Sequence, residues 1–170
     1  DDTAGTATLL EGSRPVLVYC FGDQLAEGVP VDRTRSCYVH PLHGLDGEIL
    51  TDDFPRDHVH HRGLSMMWPQ MKVGDRAVDH WHIAGIRTIT RSLELVEDGD
   101  TARLIADNEW VLDDGTIAAT EQMIYTVHPA GTTGQAIDVS ATITAGTEPI
   151  TLQGAAPPKF YGGHVILLAP

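Results

Sequence analysis

Positive charge is what this sequence has least of. Across 170 residues, 11 Lys+Arg stand against 24 Asp+Glu, a formal net charge of −13. That balance excludes partners held through their phosphates, because nucleic-acid binding needs a basic patch that releases counterions. It also argues against docking on anionic lipid. Long hydrophobic runs are missing too. The longest, Pro15–Phe21 and His164–Pro170, have strand length and fall far short of the ~20 residues of a membrane helix. Cysteine is scarce. Cys20 and Cys37 form no CxxC and no zinc-ribbon spacing, and both sit among strand-like apolar residues. They read as two buried thiols rather than a disulfide, which suits a reducing cytoplasm. A cleaved leader is the alternative for a chain that opens at Asp1. No window carries an apolar i, i+3, i+4, i+7 stripe, so helices are not expected.

What remains reads as strands. The 42% hydrophobic and 21% charged residues are globular values, and the length suits one domain, 1–170. In 136–144, Ile137, Val139, Ala141 and Ile143 interleave with Asp138, Ser140, Thr142 and Thr144, the alternation of a half-buried antiparallel strand. Thr116–Val127, Thr101–Leu112 and Ile86–Val96 precede it, joined through Asp113-Asp114-Gly115 and Glu97-Asp98-Gly99-Asp100. Both joints are hairpin signals. The expectation is an all-β antiparallel sandwich with a four-strand meander over about 86–144.

Segment 37–82 differs in kind. It holds seven of the nine histidines, Trp68 and Trp81, and many turn residues, which marks it as irregular and functional. Its centre is Asp57-His58-Val59-His60-His61-Arg62-Gly63. Three chemistries fit. On an extended strand His58 and His60 share a face, and with Glu109 or Glu121 converging they would hold a divalent metal. The alternative metal set is His58, His60 and Glu121. A histidine pair with a nearby carboxylate would instead exchange protons with a hydroxyl or carbon acid, with no cofactor. The third possibility is that the imidazoles only satisfy backbone carbonyls. Trp68 and Trp81, indoles among polar neighbours, suit stacking on the apolar face of a sugar ring. Glu121 lies in an apolar-rich strand, either facing solvent or buried with a raised pKa.

The run Tyr38-Val-His40-Pro41…Thr51-Asp-Asp-Phe54-Pro55-Arg-Asp57-His58-Val-His60-His61-Arg62-Gly63 resembles the DUF6807 family. Asp79-His80-Trp81, Asn108-Glu109-Trp110, Asp114-Gly115, Glu121 and Phe160-Tyr161-Gly162-Gly163 extend the likeness from Arg14 to Gly163. Members often carry the label "methane oxygenase PmoA-like", but such a membrane enzyme needs apolar helices that this sequence lacks. The resemblance implies instead a galactose-mutarotase-like β-supersandwich that binds or processes carbohydrates. It implies His60 and His61 as acid and base, with Glu121 or Glu109 as charge partner. His40, Arg62 and His58 would bind substrate groups, and Trp68 or Trp81 would stack. An epimerase, lyase or glycoside-processing enzyme all fit. A non-catalytic sugar-binding module, or the partner subunit of a larger enzyme, is the reading from another class. Family members are longer, so the sandwich is expected to be incomplete on its C-terminal side. A homo-oligomer or a completing chain would supply the rest.

Overall fold

The computed structural model describes residues 1–170. Its strands are β1 (Thr6–Glu11), β2 (Arg14–Cys20), β3 (Tyr38–Leu42), β4 (Leu64–Met67), β5 (Gln70–Val73) and β6 (Arg76–Val78). They continue as β7 (Ile86–Asp98), β8 (Thr101–Leu112), β9 (Ile117–Val127), β10 (Ile137–Ala145), β11 (Ile150–Gln153) and β12 (Gly163–Ile166). The one helical element is a single 3-10 turn, Val31–Arg33. No helix is long and apolar enough to cross a membrane. The protein is an all-β antiparallel sandwich, and no sheet closes into a barrel.

The meander forms as the alternation dictates. Strands β10-β9-β8-β7 make one antiparallel sheet, turned at Gly99 and Gly115, both in the left-handed region that glycine tolerates. Its inner face carries Leu104, Ala106, Trp110 and Leu112 from β8, and Ala119, Met123, Tyr125 and Val127 from β9. Ile137, Val139 and Ile143 of β10 pack on the same side. Polar residues line the outer face, where Ser92 and Gln122 both donate to Asp107.

Two further sheets, of five and three shorter strands, cover this inner face. The sheet β1-β2-β3-β4-β12 contributes Leu9, Val16, Leu17, Tyr19 and Val39 to a first core against Leu104, Ala106, Met123, Tyr125 and Val127. The sheet β11-β5-β6 contributes Met71 and Val73 to a second core with Ile86, Trp110, Leu112, Ala118 and Ala119. Each fully buried aliphatic or aromatic side chain here contributes about 1.5–3 kcal/mol of burial. Between the two cores, at paired positions on β8 and β9, lie Asn108 and Glu121.

Segment 37–82 is less irregular than its composition suggests, because it contains β3 to β6. The irregular parts are 43–63 and 79–85. The first is laid over the outer side of β2 and β3. Tyr38 donates to Asp53 Oδ2 at 2.9 Å, and Thr51 Oγ1 accepts from the Leu42 amide at 3.1 Å. A side chain at Gly63 would place its Cβ 2.1 Å from the Val39 carbonyl oxygen, so only glycine lets the loop rejoin the sheet there. Both cysteines are free thiols.

Candidate functional site

Two loops meet at one edge of the sandwich and bring four imidazoles together. In the first loop the His58 amide donates to the Pro55 carbonyl at 3.0 Å, and the His61 amide to the His58 carbonyl at 2.8 Å. This coiled path replaces the extended strand expected there, so period-two geometry does not place His58 and His60. Instead the His58 and His61 rings stack with centroids 4.9 Å apart, and His60 stands edge-on to His61 at 4.5 Å. The second loop adds His82, 4.5 Å from His60. That loop is closed by reciprocal backbone bonds between Asp79 and Ala84, and its amides at His80 and Trp81 donate to the Trp68 carbonyl. Arg33 Nη1 donates to the His82 carbonyl at 2.8 Å and ties the loop to the 3-10 turn.

Carboxylates and aromatics flank the rings. Asp79 Oδ2 lies 2.7 Å from His82 Nδ1, and Asp57 Oδ2 lies 3.0 Å from His58 Nδ1. Trp81 meets His61 edge-on at 5.5 Å and lies against Tyr161 at 4.4 Å. Desolvation, then the neighbouring His61, His82 and His58, push the His60 pKa down to about 4. His61 is lowered as well, chiefly by desolvation. Both rings are therefore neutral at pH 7, with a lone pair free to accept a proton.

The other expected site residues lie elsewhere. Arg62 is fully buried. Its Nη1 donates to the Val59 and His61 carbonyls at 2.6 and 2.8 Å, and its Nη2 to the Arg33 carbonyl at 2.6 Å. Its Nε stands 3.5 Å from Asp53 Oδ1, an ion pair without a hydrogen bond, and the Phe54 ring covers the guanidinium. Arg62 is thus a strut of the loop, with no exposed group to offer a substrate. Desolvation outweighs that arginine at Asp53 and raises its pKa to about 6.

Glu121 is also interior. It accepts from Asn108 Nδ2 at 2.9 Å and Trp110 Nε1 at 3.0 Å, and burial raises its pKa. Asn108 Nδ2 in turn lies 3.1 Å from the Tyr19 hydroxyl. Glu109 pairs with Arg91 at 2.6 Å on the outer face of the meander. Neither carboxylate joins His60 or His61. The alternative metal set of His58, His60 and Glu121 does not assemble, and no group of three or more His, Cys, Asp or Glu has metal-holding geometry.

His40 Nδ1 lies 3.0 Å from Thr51 Oγ1, outside the cluster, where burial lowers its pKa. Trp68, half-buried, packs against the second core beneath Gly162 and Gly163, so it supports the sheet. Trp81 is 5% exposed, and only its neighbour Tyr161 extends the aromatic surface. His58 stays with the cluster at its exposed end.

Sequence reasoning named His58, His60 and His61 but missed their partners Asp79, His82 and Tyr161. The signal for the first pair was present as Asp79-x-x-His82, a carboxylate and imidazole spaced to meet across one turn.

No curated protein and no solved structure matches this chain, so the mutarotase-like form of the sandwich has no structural neighbour behind it. One family model, described as a family of unknown function, DUF6807, matches residues 6–166, and the chain belongs to that family.

Proposed function

We propose that the protein is a carbohydrate-active enzyme that works by proton transfer at the histidine cluster. The observation that carries this reading is His60, an imidazole crowded by three others and held neutral far below its ordinary pKa. Desolvation by burial, with imidazoles rather than carboxylates as its closest ionisable neighbours, keeps the proton off this ring, so that its lone pair is available as the general base across the neutral range. His82, oriented through Nδ1 by Asp79, acts as the acid from its other nitrogen when the ring carries both protons, and is left neutral after giving one up. His61 supports both by contact, and Tyr161, backed by the buried Trp81, supplies an apolar side for the substrate. Asp79 thereby takes the charge-partner role that the resemblance gives to Glu121 or Glu109. No metal or other cofactor enters this chemistry.

The test is proton exchange in D2O against a panel of aldoses, ketoses and uronates, followed by proton NMR together with anomer interconversion. Activity should persist as pH falls below 6.5 and disappear only near pH 4, because the base form of His60 is lost there. His60→Ala should lower the rate by about 10²-fold or more, the usual share of a positioned acid or base. Wild-type rates in His60→Ala and His61→Ala would sink the proposal. A binding module is the second reading, favoured by the openness of the cluster, with the His58 side chain 53% exposed. It is supported if every cluster histidine titrates near 6.5 by NMR.

A further inference from the structure

Between the 31–36 segment and the 80–88 segment lies a cleft of about 230 Å3 that none of the four cluster histidines lines. That is below the roughly 300–1,000 Å3 of drug-sized pockets, and it suits one small ring or chain. Arg35, 7% exposed, lines it. This guanidinium has no carboxylate partner. Only its Nη2 is engaged, donating to the His80 and Trp81 carbonyls at 2.6 and 2.9 Å, while Nε is buried without any partner. A buried cation without a counter-charge is costly in a folded protein and marks a place where an anion is expected. His80, 3% exposed, lines the same cleft. Its Nε2 lies 2.8 Å from Thr88 Oγ1, and its Nδ1 is buried and unpartnered.

The mouth has the opposite character. Asp23, Asp32 and Asp113 line it, all exposed. Carboxylates there repel a simple inorganic anion, yet they accept hydrogen bonds from hydroxyl groups. Ile83, also lining the cleft, holds φ at 62°, a strained setting for a β-branched residue and one that clusters at binding sites.

We propose that this cleft binds a small hydroxycarboxylate of monosaccharide size, its carboxylate on Arg35 and its hydroxyls on Asp23, Asp32 and Asp113. The site goes beyond the proton-transfer reading of the histidine cluster, with which it shares only loops.

Isothermal titration calorimetry of the whole chain at pH 7 with D-glucuronate, D-glucose and acetate tests it. Glucuronate should bind saturably and about tenfold or more tighter than either of the others, since only it offers both groups. Arg35→Lys should weaken it by about tenfold or more, because one ammonium cannot hold the His80 and Trp81 carbonyls and also offer the free N–H that Arg35 Nη1 presents. Asp32→Asn, at an exposed position, should weaken it about threefold and keeps the test open if the arginine variant fails to fold. His60→Ala should leave glucuronate affinity unchanged, so this proposal and the catalytic one fail separately. No saturable heat at tens of millimolar glucuronate overturns the proposal. So does equal affinity for glucose, or an unchanged affinity in Asp32→Asn together with a folded Arg35→Lys.

Discussion

The meander and the histidine loops are built by opposite means. In β7–β10 each strand pairs with its neighbour in sequence, and the backbone ladders need only alternating side chains to choose a face. In 43–63 the backbone has few such ladders, and isolated side chains set the path. Arg62 gathers three carbonyls, Tyr38 pins Asp53, and Thr51 receives the Leu42 amide. One region spreads its stability over many equivalent contacts. The other concentrates it in a few that have no substitute.

Substitutions can break that contrast. The largest effect is expected at Arg62→Leu, which leaves the Val59 and Arg33 carbonyls unpaired and Asp53 buried without its counter-charge. Urea denaturation should register a loss of about 3–5 kcal/mol, and the His58–His61 ring contacts should vanish from NMR spectra. A loss below about 1 kcal/mol would show that the loop holds itself. In the meander, Glu121→Gln turns one acceptor into a donor facing the Asn108 or Trp110 N–H. It should cost about 1–3 kcal/mol while leaving proton-transfer activity at the wild-type rate. The smallest effect belongs to Glu109→Ala, where a partly exposed pair with Arg91 is worth about 1 kcal/mol or less. A change in turnover from either glutamate variant would restore these carboxylates to the site.

The same contrast explains what could be read from the sequence. Ile137, Val139 and Ile143 face the core as their alternation requires, and the Gly99 and Gly115 turns fall where their acidic-glycine signals stand. The boundaries of β8 and β9 follow directly. Around His58–Arg62 period-two reasoning misleads, since hydrogen bonds from one loop residue to another coil the chain. Arg62 looks like a ligand-binding cation in sequence, and only its distant carbonyl partners make it structural. Glu121 was open between solvent and interior because its neighbours Met123 and Tyr125 share its face. Asn108 and Trp110, a strand away, decide the matter. The Asp79–His82 pair went unread because its meaning depends on His60 arriving from another loop.

The setting of two of the three indoles gives the protein a light-based gauge of its own protonation. A charged imidazole takes an electron from an excited indole, and a neutral one does so far less. Trp81 meets His61 edge-on, so its emission should dim as that ring gains a proton. Trp110 lies 4.8 Å from His80, a ring kept neutral until about pH 3 by its burial, and should go on shining through the same change. A fluorimeter and a pH series would then watch the surface cluster charge against a steady interior lamp, with no label added.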